Sequence, residues 1–284
     1  MITELIIKLI IKLKMKEEEK TMAKSPEVNL EEAKKLAVKL AKKAGRMLVK
    51  SQGKKLHPEM KKDISFVTEM DTKVQDFIVR EIKKRFPEHS IVGEESDKNT
   101  ITSDHVWYVD PIDGTHNYIN GMMIYGTMIG LAYKGEAVLG VINMPAMRNL
   151  CVAVKGKGTT INNRLVKVSE TDDLKKGMIV TQMWLRDSNP AKMEVITKLH
   201  GKVNGGRDFG AAAHNFIAIA NGSLDGHVIA RSHVWDFVPG ITIVQEAGGK
   251  VTDFEGKPIV AGTEDVNVVF SNGKVHNQLL KALR

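Results

Sequence analysis

Apolar residues recur along residues 33–48 at steps of three and four: Ala33, Leu36, Ala37, Leu40, Ala41, Ala44, Met47 and Leu48. That rhythm puts them on one buried face of a helix. Asn29 followed by Glu32 has capping-box spacing and marks its start, and Gly53 is a natural stop. A second helix is predicted from about Thr72, with Val74, Phe77, Ile78 and Ile82 inward and Pro87 beyond its end. The rhythm then becomes that of strands. "SIVGEES" runs into Glu94 and Glu95, and "HVWYVD" runs into Asp110. "YGTMIGLAYKGEAVLGVINMP" reads as two strands turning at Lys134–Gly135, and "LCVAVKGKGTTINNRLVKV" continues the meander. Past Glu170 the order is a strand "MIVTQM", helices near 190–200 and 211–221, and a strand "DGHVIA". A helix over about 235–247, a strand "NVVFSN" and a closing helix complete it. No internal repeat or low-complexity linker divides the pattern, which predicts one α+β unit in two lobes, roughly 23–169 and 170–284.

Residues 1–22 stand apart. "ITELIIKLIIKLK" is apolar but short, and Lys8 and Lys12 interrupt it. A spanning helix needs about 20 predominantly apolar residues. A signal peptide needs basic residues first and a small-residue cleavage site after, whereas here Glu4 comes first and "KMKEEEK" follows. The segment is expected to be a loose amphipathic extension or the product of an upstream start, not a membrane anchor, with the fold beginning near residue 23.

Composition narrows the function class. Hydrophobic residues at 42% and charged residues at 27% exclude disorder and fibrous structure. The single cysteine, Cys151, leaves no intrachain disulfide to form and suits a reducing, cytoplasmic setting. It falls in an apolar strand and reads as core. The net charge of +8 favours anionic partners. The lysines are dispersed, however, and aromatics at 5% are too few for the stacking platforms of single-stranded nucleic-acid binders. Small anionic substrates fit better than nucleic acid.

The chemistry concentrates in "VDPIDGTHNYING", residues 109–121. Asp110 and Asp113 flank a stiff Pro-Ile pair. At an effective dielectric near 20, two like charges about 4 Å apart repel by roughly 4 kcal/mol. A hard divalent cation with oxygen ligands resolves that repulsion, and the Gly114 and Thr115 amides would then lie where a phosphate could bind. Read alone, the same residues are equally compatible with a plain turn, and Asp71 with a helix N-cap before Thr72.

Four segments in order make the reading specific. "VDPIDGTHNY" resembles the metal-binding signature of the inositol monophosphatase family. "VTEMDTKVQDFI", "IVGEES" and "WDFVPGITIVQEAGG" resemble that family's water-orienting, glutamate and C-terminal blocks. The resemblance covers nearly everything after residue 30. It implies a layered αβαβα sandwich, a cytoplasmic homodimer, and Mg²⁺-dependent, lithium-sensitive phosphomonoester hydrolysis with two to three Mg²⁺. One ion would be held by Glu94, Asp110 and the Ile112 carbonyl, and a second by Asp110, Asp113 and Asp236. Asp71 and Thr115 would orient and deprotonate the attacking water. Gly114, Thr115, Gly210, Ala211, Ala212 and Arg231 would contact substrate. Glu95 reads as a structural partner, His116 as rim, and His233 beside Trp235 as a packed histidine.

Substrate choice does not carry over. Counting back from Trp235 puts Ile229 where inositol-preferring members present a glutamate, and Ala211 stands in place of a hydroxyl residue in "GAAAH". Pro239 replaces a small residue and is expected in the first turn of its helix, where proline is tolerated. Inositol-1-phosphate is the family default. Fructose-1,6-bisphosphate would use Arg231 or Arg207 on its second phosphate. "YINGMMIYGTMIGL" looks like the histidinol-phosphatase branch, and 3′-phosphoadenosine 5′-phosphate fits less well. A non-catalytic regulator or nucleic-acid binder reusing the fold is the reading from another class.

Overall fold

Helix α1 (Leu30–Ser51) forms where the rhythm predicts it. Asn29 Oδ1 accepts from the Glu32 amide at 3.1 Å, and Gly53 adopts φ +79° after the last turn. The computed structural model describes residues 29–53, 58–60, 66–96, 99–182, 190–263 and 266–284. The expected extension at 1–22 lies outside them, as does Met183 at the end of "MIVTQM". Helix α2 (Glu69–Arg85) begins earlier than the expected Thr72, because Thr68 is its cap. Asp71 is therefore inside the helix, not its N-cap. Ahead of it, β1 (Glu59–Met60) and β2 (Phe66–Val67) make a two-stranded ribbon too short to read from periodicity.

Seven strands follow the predicted meander: β3 (Ser90–Gly93), β4 (His105–Asp113), β5 (Gly126–Tyr133), β6 (Glu136–Met144), β7 (Asn149–Val154), β8 (Thr159–Ile161) and β9 (Arg164–Leu165). They form one sheet in that order, with only β3–β4 parallel. Lys134 and Gly135, at φ +51° and +80°, make the predicted hairpin turn. A short helix α3 (Thr115–Ile119) follows β4 where only a turn was expected. The second half contributes β10 (Met178–Thr181), α4 (Pro190–Leu199), β11 (Gly205–Arg207), α5 (Ala212–Ala220), β12 (Gly226–Ser232), α6 (Val234–Glu246), β13 (Lys250–Thr252), β14 (Val266–Ser271) and α7 (His276–Leu283). Its five-stranded sheet has the order β11-β10-β12-β14-β13.

Strand alternation distributes the apolar side chains into three buried clusters, and these define five layers. Trp107 and Val109 of β4 pack with α1 and α2, while Val106 and Tyr108 pack with α5 and α6 on the other face. In the smaller sheet, Ile229, Val268 and Phe270 face α5 and α6, while Val228 and Val269 face α4 and α7. The order is α1/α2, seven-stranded sheet, α5/α6, five-stranded sheet, α4/α7, the expected αβαβα sandwich. No helix among the described residues is long and apolar enough to cross a membrane.

Helix α6 approaches the large sheet unusually closely. Gly130 and Gly140 face each other across β5–β6, and Pro239 rests over the pair. A Cβ on Gly140 would sit 2.2 Å from the Pro239 carbonyl oxygen. Pro239 is the sixth residue of α6, not in its first turn as expected. A proline there removes an intrahelical hydrogen bond, and its seat on the glycine pair provides compensating contact. Gly140→Ala is expected to lower the unfolding free energy by about 2–3 kcal/mol through overpacking, read from the urea midpoint. An unchanged midpoint would mean that the helix can lift off the sheet without cost.

Candidate active site

The end of β4 carries the chemistry because its pairing with β5 breaks there. Between Asp110 and Asp113 the register shifts, and a proline without an N–H is tolerated at such a bulge. The Thr127 hydroxyl donates to the Pro111 carbonyl at 2.9 Å, which anchors the bulge. Gly114 then takes φ +79°, and a Cβ there would lie 2.9 Å from the Ile124 oxygen and 3.0 Å from the Ala211 Cβ. Only glycine fits that conformation and that space. The "DGT" turn and the "GAAAH" loop are thus in contact, and the Asn117 amide donates to the Ile124 and Phe209 carbonyls, both at 2.8 Å.

Asp110 is 2% exposed, and its Oδ1 has no hydrogen-bond partner. Burial, followed by the charges of Glu94, Asp113, Asp236 and Asp71, pushes its carboxyl well above the usual range. Glu94 arrives from the end of β3, where its amide donates to the Val109 carbonyl at 3.2 Å. That corner is held by Gln75, whose Oε1 accepts from the Glu95 amide at 2.8 Å and occupies the space a Gly93 side chain would need. Asp236 is the third residue of α6 and accepts from the Ser232 hydroxyl at 2.7 Å. Burial raises its carboxyl too, against the lowering influence of Ser232, His233 and Lys192.

Asp113 is raised by burial and by Asp236, and two backbone amides act against that rise. Its Oδ1 accepts from Ala212 N–H at 3.0 Å and its Oδ2 from Ala213 N–H at 2.8 Å. Helix α5 has Ala211 at its N-cap and no side-chain cap of its own. Asp113 satisfies its orphan amides instead. As the chains stand, no three His, Cys, Asp or Glu side chains among the described residues are gathered tightly enough to hold a metal ion. The donor set is nonetheless all oxygen, with one buried carboxylate oxygen bare amid four other acids. That chemistry favours a hard divalent cation.

Asp71, fully buried, accepts at Oδ2 from the Thr68 amide at 2.7 Å and the Thr68 hydroxyl at 2.6 Å. Its Oδ1 lies 3.2 Å from Thr115 Oγ1, which also lies 2.7 Å from the Ile112 carbonyl. A hydroxyl has one proton to give, so Thr115 stands between two acceptors. The expected pair Asp71 and Thr115 is brought together, and Ile112 with them.

The expected substrate contacts divide. Gly210 (φ +65°) and Ala211 border the Gly114 turn, and Ala212 reaches Asp113. Ile229 does not face the site: it is fully buried between the sheets. The β12–β14 pairing shifts register between Ile229 and Ser232. At that irregularity Arg231 is exposed, with φ +51° and its amide donating to Asn267 Oδ1 at 3.0 Å. His233 stacks on Trp235 with centroids 4.7 Å apart. His116 is exposed beside Phe66, and Cys151 is core, its thiol pushed up by burial. Sequence reasoning missed Ser232, Gln75 and Lys192, none of which carries a motif signal.

Comparison with known proteins agrees with the geometry. The profile of the inositol monophosphatase family matches residues 29–284. A Thermotoga maritima protein named fructose-1,6-bisphosphatase/inositol-1-monophosphatase is 34% identical over 250 residues, 87% of this chain and 94% of that protein. A putative Nus factor SuhB of Neisseria meningitidis serogroup B is 31% identical, covering 87% and 96%. The solved structure of the extragenic suppressor protein SuhB from Bartonella henselae superposes with a TM-score of 0.81 at 32% identity, covering 88% of this chain and 97% of that one. The chain belongs to the inositol monophosphatase family, and so to the phosphoric monoester hydrolases.

Proposed function

We propose that the chain hydrolyses a small phosphorylated polyol or sugar, inositol-1-phosphate foremost, with Mg²⁺ held by the acid cluster. The observation that carries this reading is Asp110: a buried carboxylate with a bare oxygen, faced by Glu94, Asp113, Asp236 and Asp71. Two to three Mg²⁺ fit the proposal. Glu94, Asp110 and the Ile112 carbonyl would hold one, and Asp110, Asp113 and Asp236 a second. Bound there, Mg²⁺ would lower the pKa of water and neutralise charge on the attacking and leaving oxygens. Thr115 and Asp71 would take the proton of the attacking water, since Thr68 fixes one Asp71 oxygen and leaves the other toward Thr115. The Gly114 and Thr115 amides would hold phosphate oxygens.

Fructose-1,6-bisphosphate is a second reading, supported by exposed Arg231 at the β12 irregularity and by the double activity in the name of the Thermotoga relative. The name Nus factor belongs to the Neisseria protein, and the full acid set kept here argues against a purely non-catalytic role. Phosphate release from inositol-1-phosphate, fructose-1,6-bisphosphate, histidinol phosphate and 3′-phosphoadenosine 5′-phosphate, with and without Mg²⁺, tests the proposal. It expects Mg²⁺-dependent release and one substrate favoured by about tenfold or more in kcat/KM, about 1.4 kcal/mol. No release from any of the four would contradict it.

Ser232→Ala is expected to lower kcat about tenfold, because this hydroxyl orients Asp236, and to lower the unfolding free energy by about 1.5–3 kcal/mol, the worth of a hydrogen bond to a charged group. Steady-state kinetics beside a melting curve checks it. Unchanged kcat would mean that Asp236 is held without Ser232.

A further inference from the structure

A groove of about 580 Å³ opens between α1 and the β6–β7 turn, along the edge of α1's buried stripe where Gly45 meets Asn143. Lys42, Arg46 and Lys50 line one wall at successive steps of four, and Arg148 reaches it from the other. Among the described residues no acidic residue lines it, and none of these four side chains is held in a hydrogen bond or ion pair. Like charges four apart on a helix destabilise it, so three in a row facing a fourth cation is a costly arrangement without an anion.

Two features distinguish the groove from an ordinary solvated helix face. Its floor is closely packed. Asn143 Nδ2 donates to the Ala41 carbonyl at 2.9 Å, and a Cβ on Gly45 would fall 2.2 Å from that same nitrogen, so the helix meets the sheet too closely for any side chain there. Arg148 is also held at φ +56°, a conformation glycine or asparagine adopts more cheaply than arginine. Val49 and Leu150 add apolar wall between the cations.

We propose that this groove binds a small organic polyanion, a molecule of mononucleotide size with two or more phosphates and an apolar or ring portion. The volume lies in the range of small-molecule sites. The four cations provide paired and forked donors for phosphate oxygens, and the apolar wall accepts the rest. The groove contains none of the acid cluster, so it is a second site and not an extension of the first.

The test is equilibrium binding of adenosine triphosphate and of inorganic tripolyphosphate to the full chain in EDTA, which closes the cation route to the acid cluster. Both should bind, the nucleotide at least threefold more tightly because of its ring. Arg46→Gln with Arg148→Asn should weaken both at least tenfold while leaving Mg²⁺-dependent phosphate release unchanged, which also reports an intact fold. Lys175→Gln with Lys176→Gln removes the same charge from an exposed turn elsewhere and should change binding less than twofold. Equal losses in the two double variants would reduce the effect to net charge and overturn the proposal. So would absence of binding, or tighter capture by the same residues of a single-stranded oligonucleotide than of the mononucleotide.

Discussion

Asp110→Asn is expected to abolish phosphate release while making the ion-free protein more stable. The first effect follows from position: Asp110 faces every other acid of the cluster, so losing its charge removes the shared ligand of both proposed ion sites. A loss of at least about a thousandfold in kcat/KM, about 4 kcal/mol, is the expected scale. The second effect follows from burial. A carboxylate this deeply enclosed, with one oxygen bare and four acids facing it, costs stability whenever no cation is present. The neutral amide removes the charge at nearly the same volume. In EDTA the melting temperature should rise by about 3 °C or more, since about 1 kcal/mol moves a chain of this size by that order. A variant that loses activity and stability together would make Asp110 a folding residue, and one that keeps activity would remove the cluster from catalysis.

Acid is expected to weaken the fold through three histidines remote from that cluster. His227 is buried with neither ring nitrogen bonded, and burial holds its pKa at about 3. His89 is lowered to about 4 by burial and by His105 and Lys83; its Nδ1 accepts from Trp107 Nε1 at 3.0 Å, a bond that protonation there would break. His276 is lowered to about 4 by burial and by Lys250, its ring nitrogens lying 2.8 Å from the Thr252 and Ser271 hydroxyls. A base whose folded pKa lies below its unfolded value of about 6.5 leaves the native state with fewer protons. Its contribution is complete above pH 6.5 and is lost as the pH falls toward the folded value. For His227 alone the ceiling is roughly 5 kcal/mol. The acids of the site work in the opposite direction in the ion-free protein, so the informative comparison is between the parent and His227→Leu. Urea unfolding between pH 7 and pH 4 should show a shallower loss in the variant, which also relieves two unsatisfied nitrogens. Parallel curves would mean that His227 is already charged or solvated in the native state.

The acids proposed to hold cations were legible through the resemblance of "IVGEES", "VDPIDGTHNY" and "WDFVPGITIVQEAGG" to three blocks of the inositol monophosphatase family, since Asp110 and Asp113 read alone fit a plain turn equally well. The layered fold was legible for another reason: α1 and the β4–β7 meander are long and strongly periodic. What escaped depends on contacts distant in sequence. The N-terminus of α5 is capped by Asp113, nearly a hundred residues away, and nothing in "GAAAH" announces it. Asp71 looked like an N-cap until Thr68 was placed, because a capping box assigns its two members only once the helix start is known. Pro239 was placed a turn too early for want of the Gly130–Gly140 seat. Strands of two or three residues, such as β1, β11 and β13, are too short for any period to show.

Calorimetric titration of Mg²⁺ into the EDTA-treated and dialysed chain tests the central claim most directly. At least two ions per chain should bind, and Asp110→Asn should lose at least one of them. A parent that binds no Mg²⁺, or a variant that binds it with unchanged stoichiometry and affinity, would contradict the claim that Asp110 lies at the heart of a cation site.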